Sequence, residues 1–317
     1  LLHTDIIIYA DILFKDYRYL SSVALSDHFS NLANIFIDRF NLSSNSKVLE
    51  IGSNDGVLLL PLKQKGIPAV GYDPAINVCK IAKDKGLTVI NDYFNEDTIP
   101  DDLEKAVDLV SCNNCFAHID DIKSIIEGIK KVLKPNGNFV IEVHYAKNLI
   151  EDLQFDNVYH EHIYYYTLNS LANLFKQFGM SIVDFEEIPI HSGSIRVFVK
   201  NIPGLSSEKV ANQIKKERDI GLCSEQAYIE YSRRVYLHIE KLRSYIDALR
   251  LSRKRVIGYG ASGRANILCS LCKFDRSKIE YIVDESPERF NRFMSNSDIP
   301  IYSQPKQEED VVLIFAW

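Results

Sequence analysis

Apolar positions along this chain change their spacing in a regular order. In "SDHFSNLANIFIDRF" (26–40) they recur every three or four places, which predicts an amphipathic helix capped by Ser26 or Asp27. From residue 47 short apolar runs alternate with helical spacing: "KVLEI", a helix from 57, "AVGYD", a helix from 75, "LTVI", "DLVSC", a helix from 120, then "NFVIEVH". Strands that alternate with helices predict a mostly parallel sheet covered by helices. A helix over 167–179 and the strands "SIVDFEEIPI" and "SIRVFVKN" complete that sheet. Residues 206–250 read as helices, and a second strand and helix alternation opens at "RVIGYG". The changes of period suggest three parts. They are an N-terminal segment and helix over 1–40, an α/β domain over 41–202, and a helical linker with a second Rossmann-like α/β domain over 203–317. The chain opens without Met and stops inside the strand-like "VVLIFAW", so both ends are expected to continue in a longer protein.

Composition narrows the class. A chain of 317 residues, 46% hydrophobic with a net charge of -6, can bury a sizeable core as a soluble protein. It holds no run of about eighteen uncharged apolar residues, so no membrane span is expected. The apolar start "LLHTDIIIYADILF" contains Asp5 and Asp11 with no basic segment before it, against a signal peptide. The acid excess argues against nucleic acid as a partner, and the local run "RLSRKR" reads as a solvated edge. Six scattered cysteines, among them the pairs Cys112/Cys115 and Cys269/Cys272 in apolar segments, predict buried, reduced thiols in a cytoplasm rather than zinc ligands.

The first glycine turn, "VLEIGSNDG", is the most specific motif. Glu50 ends a strand, Gly52 permits a tight turn, and Gly56 permits close approach at the start of the next helix. About twenty residues on, "GYDPA" supplies Asp73 where a carboxylate can accept from both hydroxyls of a ribose. The spacing is acid-x-Gly-x-x-x-Gly, and Asp55 sits where a dinucleotide would need positive potential. S-adenosylmethionine, a nucleoside with a sulfonium and no phosphate, fits better. Ser53, Asn54, Pro74 and Asn113 complete the expected cofactor-binding set.

Two further segments carry candidate chemistry. "SCNNCFAHI" brings Asn114 and His118 to the carboxyl edge of the sheet, where open α/β sheets hold ligands. "NVYHEHIYYY" gathers Tyr159, His160, Glu161 and His162 ahead of three tyrosines expected to pack as core. A later turn, "GYGASG", matches Gly-x-Gly-x-x-Gly at Gly258, Gly260 and Gly263, with Asp284 following. It suits NAD, as in an NAD-dependent oxidoreductase or epimerase, or another diphosphate, with Arg264 beside the helix start.

Together "DILFKDYRYLSS", "LEIGSNDGVLL", "NNCFAHI", "YHEHIYYYTLNSL", "IHSGSIRV" and "GYGASGRANILC" make the chain resemble, over almost its whole length, the bacterial nucleotide-sugar C-methyltransferases. The resemblance implies a class I S-adenosylmethionine methyltransferase fold with a seven-stranded Rossmann-like sheet. It also implies methyl transfer to a ring carbon, C3 of a dTDP-linked 4-keto-deoxysugar. That family carries an N-terminal zinc module of four cysteines. No cysteine precedes Cys79 here, so no metal site is carried over. The resemblance implies catalytic roles for Tyr159, Glu161 and His162, with Asn114 and His118 opposite. It places Tyr17, Tyr19, His191, Ser194 and Arg196 at the substrate, and assigns the turn of Gly260 and Ser262 to the sugar nucleotide. Carbon methylation needs a base for a C–H proton, and His162, with a pKa near neutrality, is the expected one, supported by Glu161 and Tyr159. A monomer is expected.

Overall fold

A computed structural model describes residues 2–3, 14, 23–159, 161–306 and 311–315. Chain contacts divide it into two compact units, residues 1–147 with 160–222, and residues 148–159 with 223–317.

In the first unit the alternation becomes a seven-stranded sheet. Its strands are β1 (Val48–Ile51), β2 (Ala69–Tyr72), β3 (Val89–Ile90), β4 (Val107–Asn113), β5 (Leu133–His144), β6 (Ser181–Ile188) and β7 (Ser194–Lys200). They lie in the order β3-β2-β1-β4-β5-β7-β6. The first five run parallel, and β7 is antiparallel to both β5 and β6. This is the class I S-adenosylmethionine methyltransferase sheet, Rossmann-like with one reversed strand. Strand alternation sends Leu49, Val110, Phe139 and Ile141 to one face and Val48, Leu109, Val140 and Phe198 to the other. The helix α1 (Val23–Phe40) packs Phe29, Leu32 and Phe36 against the second of these faces. It begins a turn before the expected cap, because Leu25 still packs on the core while Ser26 and Asp27 lie exposed within it. Between the strands follow α2 (Leu59–Gln64), α3 (Ile76–Asp84) and α4 (Ile122–Val132), with Asp121 capping α4 through the Ser124 amide.

After α5 (Ala146–Glu151), α6 (Leu168–Gln177) starts at a capping box of Thr167 and Ser170. Two of its first amides also donate to Glu217, a fully buried carboxylate on α7 (Glu208–Asp219) that accepts from the Tyr145 hydroxyl too. Those bonds place α7 in the first unit, so the division falls after Leu222 and not at the expected 202/203 boundary. Residues 148–159, read as part of the first α/β domain, pack in the second unit.

The second unit holds the 27-residue helix α8 (Glu225–Leu251) and a four-stranded parallel sheet. Its strands β8 (Val256–Tyr259), β9 (Ile282–Val283), β10 (Ile301–Tyr302) and β11 (Val311–Ile314) lie in the order β10-β9-β8-β11, and α9 (Gly263–Cys272) follows β8. Cys269 and Cys272 are buried on α9, which pushes their thiols up to about 12 and about 11. Among the described residues no helix is long and apolar enough to cross a membrane.

Candidate active site

Parallel register brings the ends of β1, β2 and β4 to one level: Ile51 pairs with Tyr72 and with Cys112. The residues just beyond, Gly52, Asp73 and Asn113, therefore meet at the carboxyl edge, at the point where the strand order reverses. Gly52 takes a φ of 72°, and a β-carbon there would meet the Cys115 sulfur at 2.7 Å. Asp73 spans the turn, accepting from the amides of Asn54 and Ala75, each at 2.9 Å. Pro74 is half-buried between them.

The site is acidic and largely buried. Burial pushes the Glu50 carboxyl well above the usual range; the Asn113 amide offsets part of this, while Asp73, Cys115 and Asp55 add to it. Burial also raises Asp73, against the two amides that it accepts from. Asp55 is paired with Lys85 at 3.1 Å. Glu50 Oε2, Ser53 Oγ, Asn113 Oδ1 and Asn114 Oδ1 are buried with no hydrogen-bond partner among the described residues. Orphaned acceptors beside carboxylates of raised pKa fit a ligand that brings donors and positive charge. The ribose hydroxyls, ammonium and sulfonium of S-adenosylmethionine meet that description.

Next to this pocket the segment after residue 160 is strapped to the turn that follows β4. His118 Nδ1 lies 2.6 Å from the Glu161 carbonyl, and since a carbonyl only accepts, Nδ1 carries the proton. The Ile163 amide donates to Ala117 at 2.9 Å. Burial lowers the His118 pKa, opposed by the carbonyls of Glu161 and Asn114. Asn114 holds a left-handed φ of 53° and donates its amide to Glu142. His162 is 4% exposed and lies between two other imidazoles, with ring centroids 4.9 Å from His118 and 4.7 Å from His144. The His144 ring is in turn 5.6 Å from that of His191. Tyr165 and Tyr166 are buried, as core.

His191 and Ser192 both adopt left-handed backbone, φ 51° and 65°, ahead of Gly193 at 113°. Such a conformation costs about 1 kcal/mol or more for each non-glycine residue. The turn is held by the Ser194 hydroxyl and the Gly193 amide, both donating to Ile190.

The other expected residues are distributed differently. Arg196 lies inside the protein, 3% exposed, donating from Nε to Glu142 at 2.6 Å and from Nη1 to Glu186 at 2.7 Å. His28 of α1 reaches the second Glu142 oxygen at 2.8 Å. Arg196 thus ties three strands to a helix, a structural pairing in place of the expected contact with substrate. Tyr159 falls in the second unit and Glu161 with His162 in the first. In the second unit Gly260 has a φ of 90° and donates to Val283, Ser262 caps α9 through the Ala265 amide, and Arg264 pairs with Asp156 at 2.7 Å. Tyr17, Tyr19 and His160 lie outside the described residues.

Two residues had no signal of their own in the sequence. His144 is the last position of a strand read only as sheet, and its partners are 18 and 47 residues away. Asn91, just after β3, donates its side chain to the Asp73 carbonyl at 3.0 Å; the short run ending in Val89–Ile90 was its only clue.

Residues 25–184 match the family model of a methyltransferase domain, and residues 189–317 match that of a C-methyltransferase C-terminal domain. C-methyltransferase NovU of Streptomyces niveus is 32% identical over 323 aligned residues, 98% of this chain and 76% of that protein. A ubiquinone biosynthesis O-methyltransferase from Haemophilus ducreyi is 31% identical over 103 residues, covering 29% of this chain and 42% of that protein. Among solved structures, a putative sarcosine dimethylglycine methyltransferase from Galdieria sulphuraria is 13% identical with a TM-score of 0.46, over 56% of this chain and 87% of that one. The glycine turn with its acids, the sheet order and a likeness that runs through both units agree: the chain belongs to the S-adenosylmethionine-dependent C-methyltransferases.

Proposed function

We propose that the substrate is a nucleoside-diphosphate-linked 4-keto-deoxysugar, methylated at the ring carbon beside the ketone, C3. The observation that carries this reading is the buried imidazole His162 flanked by two others next to the acidic pocket. Methylating an oxygen needs one base near a hydroxyl. Methylating a carbon needs a proton taken from C–H and an enolate held while the bond forms. His162 takes that proton, with Glu161 next to it in the chain as its support. The bond from His118 to the Glu161 carbonyl fixes the segment, and the Asn114 side chain faces the enolate.

S-adenosylmethionine, when bound, supplies a methyl group activated by its sulfonium. Asp73 accepts from the ribose hydroxyls. Glu50 and Asn113 receive the ammonium. Gly52, Ser53, Asn54, Gly56 and Pro74 shape the turn around it. The diphosphate is assigned to Gly260 and Ser262 at the start of α9, where helix amides and Arg264 suit an anion. Methyl transfer leaves the oxidation state of the ketone unchanged, so a nicotinamide at that turn would have no step to perform.

The test is mass spectrometry of isotope-labelled methyl transfer to a panel of dTDP-keto-sugars. Label on a ring carbon next to the ketone is the expected result. Label on oxygen, or transfer only to sugars without a nucleotide, would overturn the reading.

A further inference from the structure

The imidazoles do not end at the base. From buried His162 they continue to His144, half-buried at the end of β5, and then to His191, exposed on the turn before β7. His191 is held there at a left-handed φ, in a turn fastened through Ile190, and the Gly193 carbonyl accepts from the Tyr145 amide next to His144. The turn sets an exposed imidazole beside a half-buried one.

We propose that His144 and His191 carry the proton that His162 removes out to solvent. The inference rests on the reading of His162 as base. In each turnover a substrate C–H bond breaks and its electron pair, held as the enolate, forms the new C–C bond to the methyl group. The S–CH3 bond breaks with its pair left on sulfur, so the sulfonium becomes a neutral thioether. One proton remains, and it sits on His162, 4% exposed. Until it leaves, the base cannot act again. Carbonyl chemistry leaves no group on the substrate to take it. Neighbouring imidazoles can pass it on, each accepting at one nitrogen and releasing at the other, directly or through one water. Ring centroids 4.7 and 5.6 Å apart set successive rings at the separation that a direct or single-water hydrogen bond between imidazoles spans.

His144 and His191 are therefore positioned for regeneration of the base rather than for methyl transfer itself. The test uses the whole chain carrying His144→Phe, which keeps a ring in place but cannot carry a proton, and separately His191→Ala at the exposed end. Three rates are compared: methyl transfer in a single turnover, methyl transfer at steady state, and exchange of the substrate's α-proton with deuterated solvent without S-adenosylmethionine. For His144→Phe the single-turnover rate should stay within about twofold, while steady-state transfer and exchange fall about tenfold to a hundredfold. Added imidazole should restore both. His191→Ala should lower steady-state transfer and exchange by a smaller factor, again restored by added imidazole. Equal loss of all three rates without rescue would make His144 a structural residue and overturn the proposal, as would no change in either variant. Wild-type exchange in His162→Asn would instead bring down the assignment of the base, a result that these outcomes cannot produce.

Discussion

The two glycine turns of this chain are built alike and set among different side chains. In each, an aspartate after the second strand of its unit accepts from an amide of the turn with one oxygen and from the amide two residues on with the other. Asp73 holds Asn54 and Ala75; Asp284 holds Ala261 at 2.6 Å and Ser286 at 2.8 Å. Around Asp73 stand Glu50 and Asp55, and burial raises both Glu50 and Asp73. Around Asp284 stand two arginines, each paired with an acid: Arg289 with Asp284 at 3.0 Å, and Arg264, at the helix start, with Asp156 at 2.7 Å. One backbone device therefore sits among different side chains, and on the proposed reading these choose between a cationic cofactor and an anionic substrate. Turn geometry alone, as a Gly-x-Gly motif reports it, says little about the ligand.

If chemistry belongs to the acidic side alone, the largest loss should come from the base there. His162→Asn is expected to lower turnover by about 10²- to 10⁴-fold and to leave calorimetric affinity for S-adenosylmethionine unchanged. A matching loss of affinity would mean that His162 shapes the pocket instead.

Next, Asp73→Ala should weaken S-adenosylmethionine by about 1.5 to 3 kcal/mol, roughly 10- to 150-fold, the scale of hydrogen bonds to a charged group. Binding of a nucleoside diphosphate by the same variant should not change. Unaltered cofactor affinity in calorimetry would remove Asp73 from the ribose.

The features of this comparison that a reader of the sequence could reach are the local ones. Glu50, Gly52, Gly56 and Asp73 sit at spacings set by one strand, one turn and one helix, so short-range pattern suffices. His118 and Glu161 were nameable, but the bond between them joins residues 43 apart and depends on how the segment folds back. Arg196 shows the limit most clearly. The resemblance places it at the substrate, and only the tertiary structure reveals Glu142 and Glu186 across the sheet and His28 beyond them. The same holds for Glu217, whose buried bonds to the start of α6 move α7 into the first unit although its spacing looks like linker.

On the basic side the expected effects are smaller. Arg264→Ala should weaken a nucleoside diphosphate sugar by about 1.5 kcal/mol, roughly tenfold, with affinity for S-adenosylmethionine intact. Saturation-transfer NMR comparing the nucleotide sugar with NAD on wild type and variant checks this. Loss of NAD contacts, with the sugar nucleotide unaffected, would reverse the assignment of the turn.

The smallest effect concerns protons at the acidic turn. The folded state without ligand raises Glu50 above its ordinary value of 4.5, with burial as the first cause, so folding favours its protonated form. Stability of the unliganded protein should therefore fall as pH rises through the interval between 4.5 and the raised folded value. A bound cation favours the carboxylate, so its binding pulls the pKa back down and expels whatever fraction of a proton Glu50 still holds. Affinity for S-adenosylmethionine should then weaken as pH falls into that interval, by no more than about tenfold per unit for one group. The shift in melting temperature that S-adenosylmethionine produces should grow with pH over the same interval. Calorimetry in two buffers of different ionisation enthalpy reads the released proton directly. In Glu50→Gln, which keeps the shape and removes the titration, the dependence on buffer should largely vanish, with only the contribution of Asp73 remaining. An undiminished release in that variant would assign the proton to Asp73 and show that Glu50 does not change its protonation when the cofactor binds.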